Sequence, residues 1–557
     1  MADPVRLAFL GGLGEIGRNC AVLEVANRLL VIDCGLLFPN PDMPGVDLVL
    51  PEFTYLKQNS DRLEGCVLTH GHEDHTGALA YLLEQLDLPR ALPVWGSRFT
   101  LGIAGNRVEE AGLARLARMI PLEDGQRFQA GPFDIETIPV THSVPHGFAL
   151  AFHTPQGVIL HTGDFKLDPT PVDGRRTNLS RIGALAALPG VRLLLSDSTN
   201  ADEPGYTESE SSVGIALRRV LDEATGKRVV VTCFASHIHR IQQVINAATD
   251  RGRLVATLGR SMGKNVALAR SLGLLSIPEG SLVDIDEVED LDPGKVCVLS
   301  TGSQGEPMSA LTLMAAGESK WLDIAHGDVV VISAHAIPGN EWAVSTLIDD
   351  LYRRGAEVVY TERESVHTSG HARQGELATM LTVASPEWFV PVHGEYRHLV
   401  NHSMLAQACG VRAERVLICG DGDVIVIDDH AVRIGGSVPA AHVFVDGVVG
   451  DVGHGVLRDR MSLAEEGVVF VVVGVDETAG EVVTGPEVVS RGWVHGDESE
   501  ELLEEVAKVV AHAVSAALRA GTRDHDALRR EVRKSAGRIV SQRTRRRPMI
   551  VPVVLGV

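Results

Sequence analysis

The run Leu68-Thr69-His70-Gly71-His72-Glu73-Asp74-His75-Thr76-Gly77 sets four strong metal ligands, His70, His72, Asp74 and His75, within six residues. The apolar stretch Gly65-Cys66-Val67-Leu68 leads into it, and Gly77-Ala78-Leu79-Ala80-Tyr81-Leu82-Leu83 leads away in helix-like fashion. The run is therefore expected on a strand-to-helix loop, where ligands converge while the flanking elements hold them. Imidazole nitrogen mixed with carboxylate oxygen suits zinc or a similar divalent ion. The plainer reading is a polar helix cap that contains histidines. Three imidazoles and a carboxylate at this spacing weigh against it.

A hydrolytic metal site needs more ligands than one loop carries, so others are sought at the ends of apolar strands. Pro139-Val140-Thr141-His142-Ser143 closes an alternating strand over 133–140. Val158-Ile159-Leu160-His161-Thr162-Gly163-Asp164 is an apolar strand stopping at a carboxylate, and Trp388-Phe389-Val390-Pro391-Val392-His393 is one ending in histidine. Each alone reads more readily as a hydrogen-bonded loop residue. Three that share one strand-then-ligand order support one another. The resulting seven, His70, His72, Asp74, His75, His142, Asp164 and His393, suffice for two metals sharing a bridging carboxylate.

This ordered set resembles the motifs of the metallo-β-lactamase superfamily. The resemblance implies an αββα sandwich with its site at the sheet edges. It also implies that His70, His72 and His142 hold one ion and that Asp74, His75 and His393 hold the other, with Asp164 bridging. The expected cofactors are two divalent ions per subunit, zinc first, with manganese or magnesium as alternatives. Such a pair suits phosphodiester hydrolysis, and equally lactam or thioester hydrolysis.

Over two hundred residues separate Asp164 from His393. Leu193-Leu194-Leu195-Ser196-Asp197-Ser198-Thr199-Asn200 resembles the first signature of the β-CASP group, the nucleic-acid-processing branch of that superfamily. Thr368-Ser369-Gly370-His371-Ala372 resembles the second, and Pro391-Val392-His393-Gly394-Glu395 the third. Helical stretches at 212–224, 239–248 and 265–275 alternate with strands at 228–232 and 253–257. That alternation predicts a mainly parallel sheet covered on both faces, a domain inserted into the first.

Within the β-CASP group the chain resembles the ribonuclease J family. The resemblance rests on Gly11-Gly12-Leu13-Gly14-Glu15-Ile16-Gly17-Arg18-Asn19, Phe234-Ala235-Ser236 with Ile238-His239-Arg240, Gly302-Ser303-Gln304-Gly305-Glu306-Pro307, and Ile337-Pro338-Gly339-Asn340-Glu341. Arg545-Arg546-Arg547-Pro548-Met549-Ile550-Val551-Pro552 fits too, so the match is collinear over essentially the whole chain. One departure is Pro145-His146 after His142, where an acidic residue is expected in many relatives.

Two nucleotide-cofactor signals fail. Gly12-Leu13-Gly14-Glu15-Ile16-Gly17 fits G-x-G-x-x-G, and Asp33 follows at a distance plausible for a ribose ligand. A dinucleotide site needs a helix directly after the last glycine. Ala21-Val22-Leu23-Glu24-Val25, a turn at Asn27-Arg28, and Leu29-Leu30-Val31-Ile32 read instead as a β-hairpin. Gly263-Lys264-Asn265 lacks the Walker spacing and its Ser or Thr.

The resemblance implies a metal-dependent ribonuclease, a 5′-to-3′ exonuclease favouring 5′-monophosphate ends with additional endonuclease activity, acting in RNA maturation and decay. It places His371 near the departing 3′ oxygen with Asp197 orienting or charging it, as a general acid requires. On spacing alone Asp197 reads equally as a turn cap, and His371 as a loop histidine. His367-Thr368-Ser369-Gly370-His371 offers a hydroxyl, a glycine N–H and two imidazoles, a fair phosphate cradle, and Ser236 and His237 are expected to help from the insert. The competing readings are another hydrolase on the same fold, acting on a lactam or thioester, and a non-catalytic RNA-binding scaffold. The long insert disfavours the first, and the complete ligand set disfavours the second.

The expected fold class is α/β: the αββα sandwich, the inserted parallel-sheet β-CASP domain and a small α+β C-terminal domain. The sandwich should span 1–204 and resume over 361–432, with the insert at 205–360, a linker at 433–450 and the last domain at 451–557. The connector signal is Ile434-Gly435-Gly436-Ser437-Val438-Pro439. A formal charge of −22 argues against a general nucleic-acid coat protein but not against an enzyme with a local basic channel. The seven cysteines are scattered without a C-x-x-C pair and read as buried reduced thiols. No apolar stretch approaches membrane length, and a cytoplasmic location without membrane contact is expected. Single-stranded RNA, a homodimer or homotetramer, and an RNA-degradation complex are the expected partners.

Overall fold

The computed structural model describes residues 3–40, 42–337, 339–447, 450–494 and 498–556. Pro338, 448–449 of the expected linker, and 495–497 and 557 of the expected last domain lie outside the described residues. Two compact units are formed, Met1–Phe38 with Leu48–Val443, and Pro39–Asp47 with Phe444–Val557.

In the first unit two sheets face each other. The eight-stranded sheet runs Val432–Ser437, Asp423–Ile427, Val5–Gly11, Cys20–Val25, Arg28–Ile32, Leu63–Val67, Leu92–Gly96 and Ala117–Pro121. The six-stranded sheet runs Trp388–Val392, Val191–Asp197, Gly157–His161, Phe148–Thr154, Phe133–Pro139 and Arg127–Ala130. Leu7, Leu23, Leu30 and Ile32 of the first meet Ile135, Leu150, Phe152, Leu193 and Val390 of the second in one apolar layer. Strand side chains alternate between faces, so the other face of the six-stranded sheet needs its own cover. Ile182, Leu377, Met380 and Ala406 provide it from helices Leu179–Ala187, Gln374–Ala384 and Tyr396–Ala408. The result is the αββα sandwich.

The insert is a five-stranded parallel sheet in the order Leu254–Leu258, Val296–Ser300, Val229–Thr232, Val329–Ile332 and Glu357–Val359. The runs Val229-Val230-Val231 and Val329-Val330-Val331 are at most 2% exposed, as a sheet covered on both faces requires. Phe99 and Ile103 of helix Arg98–Glu110, together with Val144, are part of the insert's core beside Val213, Ile238 and Met262. One apolar cluster of the insert thus takes in three side chains of the sandwich.

Two local readings change. Helix Arg260–Ser271 starts earlier than the expected 265–275, directly after Gly259, whose φ of +111° suits the turn out of strand Leu254–Leu258. The connector signal at 434–439 falls largely on strand Val432–Ser437, which pairs with Asp423–Ile427 at the edge of the large sheet. Its residues after Val432 are exposed, so no inward-facing apolar positions announce it.

The second unit has strand Val468–Asp476 between antiparallel Glu481–Arg491 and parallel Met549–Gly556. Val469, Val471, Val473 and Val475 pack against Val506, Val510 and Val514 of helix Glu498–Arg519 and Leu528, Val532 and Val540 of helix His525–Thr544. The Asp524 carboxylate caps the latter by accepting from Ala527 N–H. No helix among the described residues is long and apolar enough to cross a membrane. All seven cysteines are free, six of them buried and Cys409 partly so.

Candidate metal centre

The seven ligand candidates come from four chain segments, and all sit just beyond C-terminal strand ends. His70, His72, Asp74 and His75 follow Leu63–Val67, His142 follows Phe133–Pro139, Asp164 follows Gly157–His161, and His393 follows Trp388–Val392. Strands Val191–Asp197 and Trp388–Val392 are parallel neighbours with Asp197 opposite Val392, which sets Asp197 beside His393.

The side-chain atoms form two four-atom groups that share one carboxylate oxygen. His70 Nε2, His72 Nδ1, His142 Nε2 and Asp164 Oδ2 make the first; neighbouring atoms in it lie 3.1 to 3.7 Å apart. Asp74 Oδ2, His75 Nε2, His393 Nε2 and Asp164 Oδ2 make the second, with separations of 3.1 to 3.7 Å. Ligands about 2.0–2.1 Å from a tetrahedral ion stand about 3.3 Å from one another, so both sets fit a divalent metal. Asp164 Oδ2 is buried and has no hydrogen-bond partner, an orphan that a cation would satisfy.

The other ring nitrogens are held from behind. His142 Nδ1 donates to Gly370 O at 2.8 Å, and His75 Nδ1 to Asp33 Oδ2 at 2.8 Å. Thr199 Oγ1 donates to Asp197 Oδ1 at 2.7 Å and accepts from His393 Nδ1 at 2.7 Å. His72 Nε2 lies 3.3 Å from Ser143 Oγ. Each bond fixes a tautomer whose remaining nitrogen faces the cluster. Asp33, which also accepts from the Thr69 N–H and hydroxyl, has φ +58°, and His393 has φ +54°. Two non-glycine residues in the left-handed region at one cluster mark backbone strain held for function.

Charge in the cluster is set by competition. Burial and the neighbouring imidazoles push His70 and His142 well below the ordinary histidine value, and burial holds His72 near 4. Neutral imidazoles are what a metal takes. Burial opposes the imidazolium of His393, yet Asp164, Asp197 and Asp74 together raise it to about 10. The three carboxylates thus outweigh burial and favour positive charge at this position.

His371 Nδ1 lies 2.8 Å from Asp197 Oδ2 at the rim of the cluster. Burial works against its charged form, but the charge and hydrogen bond of Asp197 outweigh burial and hold its pKa above the ordinary value. Of the remaining candidates, Ser369 Oγ accepts from Asn200 Nδ2 at 2.9 Å and from its neighbour His371 N–H at 3.1 Å. The Thr368 hydroxyl is spent on Glu208 O at 3.0 Å. His367 Nδ1 is 3.5 Å from Arg240 Nη1, a donor that leaves the proton on His367 Nε2. Arg240 also donates to Val366 O at 3.0 Å, joining the helix that follows Ser236 to the 367–371 motif. Ser236 is partly exposed. His237 is turned into the insert, 2% exposed, with Nε2 3.5 Å from Glu210 Oε1 and burial holding its pKa near 4.

Three supporting residues were not anticipated in these roles. Asp33 had signalled only a ribose contact, Thr199 stood unremarked beside Asp197, and Asn19 lay in the glycine-rich start. Asn19 Nδ2 lies 3.1 Å from Asp74 O and 3.1 Å from His75 Nε2. The segment around it holds three positive-φ glycines, Gly12, Gly14 and Gly17, and leads into a β-hairpin, as the rejection of a dinucleotide site requires.

Residues 13–212 match the metallo-beta-lactamase superfamily and 356–416 the Zn-dependent metallo-hydrolase RNA specificity domain. Residues 226–351 match the ribonuclease J beta-CASP domain, and 455–557 the ribonuclease J C-terminal domain. Ribonuclease J of Mycobacterium tuberculosis is 42% identical over 554 residues, covering 99% of this chain and 97% of that protein. The chain belongs to the ribonuclease J family. Ribonuclease J of Thermus thermophilus is also 42% identical, over 99% of this chain and 95% of its own length. Ribonuclease J2 of Bacillus subtilis is 36% identical over 100% and 99%. A crystal structure of an Enterococcus faecalis protein of unknown function covers 76% of this chain and 100% of its own, at TM-score 0.54 and 16% identity, and is alike in fold alone. As a ribonuclease J family member, the chain is a metal-dependent ribonuclease with RNA as its substrate.

Proposed function

We propose that the enzyme degrades single-stranded RNA from its 5′ end, taking 5′-monophosphate ends by preference, with endonuclease cleavage as a second mode. One observation carries this reading. The Gly370 carbonyl that accepts from His142 belongs to the same short motif as His371, which pairs with Asp197. A phosphate held on 367–371 would therefore lie next to the cleavage cluster, the spacing that releases mononucleotides. In this reading His367, Thr368, Ser369, Gly370 and His371 cradle the terminal phosphate with Ser236 facing them, and buried His237 supports the turn beneath Ser236.

His70, His72, His142 and Asp164 would hold one ion, and Asp74, His75, His393 and Asp164 the other, zinc in both. Bound there, the cations would lower the pKa of water at the site towards neutrality and offset charge on the phosphoryl oxygens. His371, kept charged by Asp197 on Nδ1, donates its Nε2 proton to the departing 3′ oxygen. Thr199 fixes Asp197 for that task. RNA maturation and decay in the cytoplasm, as a homodimer or homotetramer and within an RNA-degradation complex, is the setting that suits such an enzyme.

The test is to digest 5′-monophosphate, 5′-triphosphate and circular RNAs of one sequence and size the products. Mononucleotides, released faster from the monophosphate form, together with cuts in the circle, are expected. Equal rates from the two linear forms, or products of internal cutting only, would remove the 5′-end preference.

A further inference from the structure

We propose that His335 is a stacking face for the nucleobase of the first RNA residue, the one whose 5′ phosphate lies on the 367–371 motif. The inference rests on the proposed 5′-end reading and deepens it. It draws on the motif 302–307 and on Ile337, beside which the 335–337 loop is built, none of which the cleavage chemistry uses.

Two anchors fix where His335 stands. On one side, the Ser333 hydroxyl donates to Val366 O at 2.6 Å, the carbonyl directly before His367, and Arg240 Nη1 donates to Ser333 Oγ at 2.7 Å. On the other, the Gln304 side chain spans the loop: Nε2 donates to His335 O at 2.9 Å, and Oε1 accepts from Ile337 N–H at 2.7 Å. Ser333 is 0% and Gln304 3% exposed, so both clamps are dry and firm. Between them the His335 side chain reaches solvent. Its ring lies nearly parallel to that of His367, 16° between planes and 6.3 Å between centroids.

An exposed flat ring aligned with a ring of the phosphate cradle is a platform for another flat ring. The first base is joined to its 5′ phosphate through a single ribose, so a phosphate on the cradle brings that base to this side of the insert. Stacking on an aromatic face tolerates all four bases, which suits an enzyme that must process each nucleotide in turn. His335 is then a binding residue that helps seat the terminal nucleotide.

The experiment compares two 5′-phosphorylated oligoribonucleotides with the zinc-loaded enzyme, one ordinary and one whose first residue is an abasic ribose 5′-phosphate. The wild-type enzyme is expected to show a KM about tenfold lower for the ordinary substrate. His335→Ala should raise that KM about tenfold and erase the difference between the two substrates, and His335→Phe should restore it. An intact wild-type preference in His335→Ala, or no preference in the wild-type enzyme, overturns the stacking role while leaving the 5′-end reading in place. Failure of the wild-type enzyme to release mononucleotides from the ordinary substrate overturns both.

Discussion

His371 Nδ1 and Asp197 Oδ2 stand 2.8 Å apart although 174 residues separate them in the chain. The sandwich strand that ends in Asp197 and the motif that follows the insert meet there. Asp197 is buried, and it raises the pKa of the imidazole it faces.

Asp197→Asn should move the alkaline limb of the kcat profile to lower pH. Asp197 lifts the His371 pKa above the ordinary value, and the proposed proton donation requires the charged form, so activity should be lost as pH rises through that pKa. Removing the carboxylate lowers the pKa and brings the loss earlier. A fall in kcat of about a hundredfold near neutrality accompanies the shift. A limb that stays in place shows that another group titrates.

With two ions held as proposed, Asp164→Asn should cost the enzyme both, since Asp164 Oδ2 belongs to both ligand groups. His142→Ala should cost only the first. Elemental analysis reads the stoichiometry, and cleavage of 5′-phosphorylated RNA in metal-defined buffer should vanish in each. RNA binding at moderate salt should persist in part, because backbone contacts are separate from the ligands.

Gly35→Ala should disable the centre without replacing a ligand residue. A Cβ on Gly35 would overlap the backbone oxygen of Asp74, which cannot yield as a flexible side chain can. Around it Cys34 N–H donates to His75 O at 2.8 Å and Leu36 N–H to Glu73 O at 3.1 Å, so the displacement passes straight to the ligand loop. A shift on the order of 1 Å costs about a hundredfold in rate. Metal content and kcat should fall together, and normal values for both would show that the loop adapts.

Arg240→Met should destabilise the fold by about 3–5 kcal/mol by leaving Glu210 charged and buried. Arg240 meets Glu210 through Nε at 2.6 Å and Nη2 at 2.8 Å, and the two are 0% and 5% exposed. Burial opposes the Glu210 carboxylate, but Arg240 and His237 outweigh it and hold its pKa well below the ordinary glutamate value. A depressed folded-state pKa stabilises above the ordinary glutamate range and loses that contribution as pH falls towards the folded value. Denaturant titration should therefore show the largest gap between variant and wild type near neutrality, narrowing in acid. A constant gap would point to lost packing alone.

The strand-end rule made the cluster legible in the sequence. The dense run gave His70, His72, Asp74 and His75, apolar strands stopping at His or Asp gave His142, Asp164 and His393, and these side chains gather around Asp164 Oδ2. The residues that hold them were not legible for a physical reason. Asp33 reaches His75 across 42 positions and Thr199 reaches His393 across 194, and neither stands in a periodic or spaced pattern. The parallel sheet of the insert could be read from the alternation of helices with two of its strands, at 228–232 and 253–257. The edge strand Val432–Ser437 could not, since an exposed edge asks nothing of its side chains. His237 shows the limit of motif reading: its neighbours suggested a surface contact, and only its partner Glu210 reveals that it points inward.

The sharing of Phe99, Ile103 and Val144 between sandwich and insert bears on how this enzyme can be rebuilt. The insert is not a cassette. Replacing residues 205–360 by the equivalent from a distant relative would leave three apolar side chains without their matched sockets. Ile103 also backs Gly71, between His70 and His72, where an added Cβ would come within 3.1 Å of its Cδ1. A chimera must therefore carry helix Arg98–Glu110 along with the transplanted segment, or accept a catalytic loop resting on ill-fitting foundations.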